Sequence, residues 1–368
     1  MINTKEFMQN LRGPEITKEQ TMALDNCIAL FVTGSQLYGT NTPASDFDYE
    51  GVFIETPEYI LGNKSCDEVS FSTGDDVSRN TSEDIDCKLY SLRKYISLAQ
   101  QNNPNKVEWF FVPDDKFIFK EDKYWDHLVS NRDIFLSLKL KHSFSGYAQS
   151  QEHKLLTKKK RYEELKSFRD VLQTGLAQGK KLIGELDLLE RYELKKYHKE
   201  TGSVGIHTLK RIKVKYNYIK YKLTAEGTDG ITVDNKAYNF GMPIQRIFDY
   251  VNREVKTYGG RLEYLKDYGY DVKFAAHLFR LYFEGLHLLR EGNLIFPMPK
   301  EEIKFMMNIK AGKYDLDFLL NKSKELEPLF DVAYQENKAN LPHSPNYELI
   351  DILQQSMIKK YWLCKGYI

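Results

Sequence analysis

Residues 31–54 constrain the fold more tightly than any other stretch of this 368-residue chain. An apolar run over 27–32 enters Gly34-Ser35, and Gly39-Thr40 follows. Ser45-Asp46-Phe47-Asp48 then leads into a second apolar run, Gly51-Val52-Phe53-Ile54. The order is strand, tight turn, short helix or loop, strand, with two carboxylates at the head of the second strand. Side chains alternate along a strand, so Asp46 and Asp48 point to the same side. Carboxylates converging on one point repel each other unless cations lie between them. Mg²⁺, which takes oxygen ligands and keeps substrate phosphates as partners, suits such a site. The turn ahead of the carboxylates supplies backbone N–H groups and the Ser35 hydroxyl, donors for those phosphates.

This pattern, Gly34-Ser35, a short spacer and Asp46-x-Asp48, resembles the nucleotidyltransferase superfamily named after DNA polymerase β. The fuller form is Gly34-Ser35-x-x-x-Gly39-Thr40-x-x-x-x-Ser45-Asp46-x-Asp48-x-x-Gly51-Val52. It resembles one branch, the predicted nucleotidyltransferases of the RNA-repair pathway type, also called YcgL-like. Asp86-Cys87-Lys88-Leu89-Tyr90, followed by Asn103-Pro104-Asn105 and Glu108, is similar to that family's third-carboxylate strand and Asn-Pro-Asn stretch. Lys273, His277 and Arg280 resemble a family helix with a Lys-x-x-x-His-x-x-Arg pattern. The likeness covers residues 28–113 and 271–355, and the middle, 155–265, falls outside it.

The expected fold class is α+β. A small mixed-sheet, polymerase-β-like catalytic domain over residues 1–130 precedes a mostly helical, substrate-clamping domain over 131–368. An insertion is expected near 155–265. In the first part, a helix over 17–26 precedes the first strand, and 61–79 reads as a loop or short hairpin. Alternation over 85–90 gives a third strand. Ser91 caps a helix over 92–101 that ends before Pro104, and a short helix over 106–112 follows. Helices are then expected over 138–154, 158–173, 180–199, 244–257, 272–290, 301–308, 316–333 and 347–361.

Length and composition bound the rest. The chain is long enough for two domains, and its 25 Tyr and 21 Phe argue for packed cores. A formal net charge of +1 excludes a global field that attracts a polyanion, so nucleic-acid affinity must come from local patches. Cys27, Cys66, Cys87 and Cys364 form no C-x-x-C pair and no zinc spacing, which fits free thiols in a reducing compartment. The start lacks the apolar run of a secretory leader, and no window approaches the ~20 apolar residues of a membrane span. A soluble, cytoplasmic protein of a bacterial or phage-infected cell is the expectation.

Nucleotidyl transfer attacks the α-phosphorus of a nucleoside triphosphate and expels pyrophosphate. Two metal ions, Mg²⁺ or Mn²⁺, stabilise the attacking and leaving oxygens. Asp46 and Asp48 are the expected metal ligands. A third carboxylate must come from a neighbouring strand to activate the hydroxyl; Asp86 is the candidate and Asp84 the fallback. Gly34, Ser35, Gly39, Thr40 and Ser45 are expected around the nucleotide phosphates. Ser35 also reads as a helix N-cap.

Lys273, His277, Arg280, Glu284, His287 and Glu291 share one helical stripe. Periodicity alone favours a solvated face with an i,i+4 Arg280–Glu284 pair. The resemblance adds Lys273, His277 and Arg280 as triphosphate ligands. The basic segment 210–222, with Lys210, Arg211, Lys213, Lys215, Tyr216 and Tyr218, fits a helix or a strand and is the expected nucleic-acid contact. The expected function is metal-dependent transfer of a nucleoside monophosphate from an NTP to a hydroxyl acceptor. An RNA end, tRNA included, leads among acceptors; nucleotidylation of a protein or small-molecule hydroxyl is the alternative.

Overall fold

The computed structural model describes residues 7, 16–43, 45–72, 85–190, 213–223, 229–256, 264–265 and 267–368. Two compact units divide the chain. One is built from residues 1–152 and 272–368 and the other from residues 153–271.

The first unit holds a five-stranded sheet. Helix α1 (Lys18–Asp25) is closed at its N-terminus by a capping box, Thr17 with Gln20, and leads into β1 (Cys27–Val32), whose six residues are all buried. A one-turn helix, α2 (Gly34–Tyr38), connects to β2 (Phe47–Phe53). After α3 (Pro57–Ile60) come β3 (Glu68–Ser72) and β4 (Ile85–Ser91). Part of the stretch expected as loop or short hairpin, 61–79, is thus strand β3, and its end lies outside the described residues.

Ser91 accepts from the Lys94 N–H and so caps α4 (Leu92–Ala99), as its position suggested. The Asn-Pro-Asn stretch opens α5 (Pro104–Val107), with proline in the first turn where a missing N–H costs nothing. A 3₁₀ turn, Glu108–Phe111, follows. Strand β5 (Phe117–Lys120) and helix α6 (Asp122–Ser130) complete this part.

The sheet order is β3-β4-β2-β1-β5. β2 and β4 run parallel, with Asp48 opposite Asp86, and the other pairs run antiparallel. The carboxyl end of β1 therefore meets the amino ends of β2 and β4 at one edge of the sheet. Phe7, Leu30, Tyr49, Phe53 and Leu89 are among the buried core residues on one side of the sheet, and Phe31, Tyr95, Trp109 and Trp125 cluster as buried rings.

The same unit contains α9 (Val272–Glu291), α10 (Lys300–Lys310), α11 (Leu316–Asn337) and α12 (Tyr347–Lys365). α9 is buried over most of its length, and the Gly285 Cα lies where an added Cβ would stand 2.6 Å from the Phe330 ring of α11.

The second unit contains most of α7 (Lys139–Ala177), short strands and α8 (Ile244–Lys256). The two helices expected over 138–154 and 158–173 are one. The helix expected over 180–199 is absent from its described part. Ile183–Glu185 is a 3₁₀ turn and Leu189–Glu190 is strand β6. The physical reason is tertiary: the N–H groups of Ile183 and Gly184 donate to the carbonyls of Met242 and Phe240, at 3.0 and 2.9 Å, so helical bonds are pre-empted.

The basic segment resolves toward strand. β7 (Lys213–Val214) pairs with β6, and β8 (Lys220–Leu223), β9 (Asp229–Val233) and β10 (Lys236–Asn239) form a three-stranded sheet. Phe168, Leu172, Ile183, Ile231, Ile244 and Val251 lie at the core of this unit. Among the described residues, no helix is long and apolar enough to cross a membrane.

Candidate active site

Three short-range constraints bring the acidic residues together. The Thr33 N–H donates to the Asp48 carbonyl at 2.9 Å, which fixes the end of β1 against the start of β2. Gly34 follows with φ +63°, and a Cβ there would stand 2.8 Å from Asp48 Oδ2. Glycine is required on both counts: left-handed backbone, and a carboxylate seated on the bare Cα. Across the parallel ladder, Asp86 faces Asp48 and accepts from the Ser72 hydroxyl at 2.8 Å.

Electrostatics follow from this crowding. Burial pushes the Asp48 carboxyl above its ordinary range, the charges of Asp46 and Asp86 push it further, and Lys273 opposes them. Asp48 therefore sits in an all-oxygen donor set with like charges gathered against each other. Among the described residues, no three His, Cys, Asp or Glu side chains are gathered tightly enough to hold an ion by themselves. A hard cation bound here would complete its shell from water and phosphate oxygens, which is how Mg²⁺ is commonly held.

Asp48 and Asp86 line a cleft of about 770 Å³ together with Gly34, Tyr38, Glu50, Lys106, His277 and Arg280. The bonds beneath it are charged. Arg280 Nη1 donates to Glu108 Oε2 at 2.5 Å and to both Glu284 oxygens at 3.1 and 2.9 Å. Its Nη2 donates to Asn105 Oδ1 at 2.7 Å and lies 3.1 Å from His277 Nδ1. The Tyr38 hydroxyl donates to Glu108, 3.1 Å from each of its carboxylate oxygens. Arg280 and Glu284 are 2% and 1% exposed, so the solvated face that periodicity suggested is buried here. Burial is confined to the middle of the stripe: Lys273 and Glu291 at its ends are exposed, and His277 and His287 are half-buried.

The remaining expected residues fall as follows. Thr33, not Ser35, occupies the N-cap of α2. Ser45 closes a turn: its hydroxyl accepts from the Thr42 N–H and its own N–H donates to the Thr42 carbonyl, both at 2.9 Å. Gly39 has φ +77°, and a Cβ there would meet Pro297 at 2.8 Å, so this glycine serves close packing. Thr40 is buried, and its hydroxyl accepts from Lys310 Nζ at 3.1 Å rather than facing the cleft. Lys273 is near enough to Asp48 to lower its pKa, and His277 lines the cleft.

Asp84, Lys210 and Arg211 lie outside the described residues, as does the Lys213 side chain. Lys215 pairs with Asp187. Tyr216 and Tyr218 are partly buried and pack against the core of the second unit.

Sequence reasoning missed Glu50, Lys106, Tyr38 and Lys310. Glu50 was accessible, because alternation places it on the Asp48 face. Lys106, buried under the rings of Tyr90 and Trp109 at 3.9 and 3.8 Å and paired with Glu50 at 3.1 Å, carried no local signal.

A mixed sheet with carboxylates on adjacent strand ends and a glycine turn beside them is the framework of a polymerase-β-like catalytic domain. The chain belongs to the RNA repair pathway DNA polymerase β family, whose model matches residues 11–197. That match includes Asp46, Asp48 and Asp86, continues into the middle segment that motif comparison left out, and stops short of Lys273, His277 and Arg280. The chain is similar to a protein of Enterobacteria phage T4 described as an uncharacterized 38.9 kDa protein in the nrdC-mobD intergenic region. The two are 26% identical over 337 residues, covering 89% of this chain and 92% of the phage protein. No solved structure matches the chain.

Proposed function

We propose that this chain transfers a nucleoside monophosphate from a nucleoside triphosphate to the hydroxyl of an RNA end and releases pyrophosphate. The observation that carries the reading is the Asp48–Asp86 pairing across parallel strands, with Gly34 beneath Asp48 and Asp46 close by. Asp46 and Asp48 are the residues to hold divalent cations, with Asp86 as the third ligand. When bound, Mg²⁺ or Mn²⁺ supplies charge stabilisation at the attacking and leaving oxygens.

The protein's own part is geometric. Gly34 lets a phosphate approach the backbone. Ser72 orients the Asp86 carboxylate. Asp86 takes the proton of the acceptor hydroxyl as its oxygen bonds to the α-phosphorus and the bond to pyrophosphate breaks. The cleft between Tyr38, Tyr90 and Asn105 has room for a nucleotide. Acceptor binding is assigned to residues 153–271, interposed in sequence between the two segments of the catalytic unit.

The test is incorporation of each labelled NTP with and without total tRNA. Label is expected in a nucleic-acid band, only with divalent metal, and lost on chelation. Asp46→Asn and Asp48→Asn should each lower transfer at least a thousandfold, and Asp86→Ala should abolish turnover while nucleotide binding persists. Near-normal transfer in Asp48→Asn, or full activity in EDTA, overturns the metal assignment. Label in a protein band instead would move the acceptor to a protein hydroxyl.

A further inference from the structure

Strands β2 and β4 carry the cleft floor away from its acidic edge in steps of two residues. In the parallel ladder Asp48 stands opposite Asp86, Glu50 opposite Lys88 and Val52 opposite Tyr90. β3 continues these rows with Ser72, Ser70 and Glu68. Residues two apart share a face, and successive rows lie about 7 Å apart. The floor therefore changes character along its length. The first row presents Asp48 and Asp86, the second Glu50, and the third the Tyr90 ring, with Leu98 of α4 lining the same cleft.

Glu50 is held from behind. Lys106 Nζ donates to Glu50 Oε1 at 3.1 Å and lies 3.9 Å from the centre of the Tyr90 ring and 3.8 Å from that of Trp109. Lys106 is 5% exposed, so its ammonium serves the two rings and one carboxylate oxygen. The Glu50 side chain is 24% exposed and lines the cleft. The bond to Lys106 uses Oε1, and a carboxylate has a second oxygen to offer a ligand. Stability alone does not account for the pair, because apolar side chains of similar size generally serve a buried site as well.

The row selects the ligand group. A fixed carboxylate repels phosphate and accepts from hydroxyl or N–H donors. With the reacting phosphorus at the row of Asp48 and Asp86, the sugar falls one row further along and the base at the row of Tyr90. A ribose carries a donor there, its 2′-hydroxyl, which 2′-deoxyribose lacks.

We propose that Glu50 accepts from a ribose 2′-hydroxyl and selects ribonucleotides over 2′-deoxyribonucleotides, with Lys106 as the positioning residue that holds it. The placement of a nucleotide along these rows rests on the function proposed above. The hydroxyl is the same whether the sugar belongs to the triphosphate or to the last nucleotide of the acceptor.

The experiment is calorimetric titration of the full chain in Mg²⁺ with each of the four NTPs and its 2′-deoxy counterpart, and with an RNA oligonucleotide ending in ribose or in 2′-deoxyribose. The parent is expected to favour the ribose form about tenfold in one of the two series, and that series identifies the sugar. Glu50→Leu combined with Lys106→Met is expected to bring the preference within about twofold, by loss of the ribose form alone. Lys106→Met by itself should lower the same ratio, because Glu50 is then free to turn away. Glu50→Gln, which keeps the shape and an uncharged acceptor, is expected to retain a preference of about threefold, and it covers the case in which the other variants fail to fold. Equal affinity for both sugars in the parent overturns the proposal and leaves the transferase reading intact. A full preference in either Glu50 variant overturns it, as does equal loss of both sugar forms, which would mark Glu50 as structural. A preference that falls as expected in a protein that transfers no nucleotide would leave the role of Glu50 standing and remove the transferase reading.

Discussion

Arg280 stands between two buried carboxylates, Glu108 and Glu284, and one positive charge cannot balance both. Burial, with Glu108 adding its repulsion, raises Glu284 to about 8 against the opposing pull of Arg280. The folded state therefore keeps a proton on Glu284 between about pH 4.5 and 8 where the unfolded chain has lost it. The group's stabilisation is complete below its unfolded pKa and is lost as pH rises through 8. Glu284→Gln should remove that dependence. Urea denaturation at pH 5 and pH 9 should show the parent losing more stability than the variant between the two, by at least about 1 kcal/mol. Equal losses would place the proton elsewhere in the network. Asn105 and Tyr38, which line the cleft, both depend on this network for their positions, so the same proton bears on cleft geometry.

At the scale of elements, the turn from β1 into α2 is the most demanding piece of backbone. Gly34→Ala forces a side chain into left-handed backbone, costing about 1–2 kcal/mol, and drives its Cβ against Asp48 Oδ2. The expected result is a modest fall in melting temperature and a disproportionate loss of transfer, at least a hundredfold; an active Gly34→Ala would mean that the Asp48 position is not critical.

This turn is also where the sequence was most informative. Short apolar runs gave β1 and β2, period-two alternation gave β4, and glycine beside Asp-x-Asp gave the acidic cluster, because these are local properties of the chain. Residues 180–190 misled for the opposite reason: their Leu-rich pattern suits a helix, but the N–H groups of Ile183 and Gly184 are bonded to residues 242 and 240. The Arg280 stripe misled because polar spacing says nothing about what packs over it. Lys310 had no local signature at all, since its meaning comes from Thr40.

At the scale of the whole molecule, near-neutral net charge means that polyanion binding must be local. The basic segment in the 153–271 unit is the test case. Replacing Lys210, Arg211, Lys213 and Lys215 together with neutral residues should weaken RNA binding and flatten its salt dependence. Each lost phosphate contact changes the log–log slope by about 0.7 on a single strand and about 0.9 on a duplex. The KM for the triphosphate should move less than twofold. An unchanged slope would mark the segment as a solvated face and favour a non-RNA acceptor, leaving the role proposed for the carboxylates untouched by the result.

The catalytic unit is assembled from two stretches of chain with another unit made between them. Among the residues lining the cleft, every carboxylate is made by Glu108, yet Arg280, the buried partner of Glu108, is made much later. At roughly 5–20 residues per second, that gap is on the order of 10–40 seconds. During it Glu50 already has Lys106 and Glu68 has Lys88, while Glu108 waits for Arg280. A product that stops before α9 would therefore carry Glu108 without the arginine that balances it.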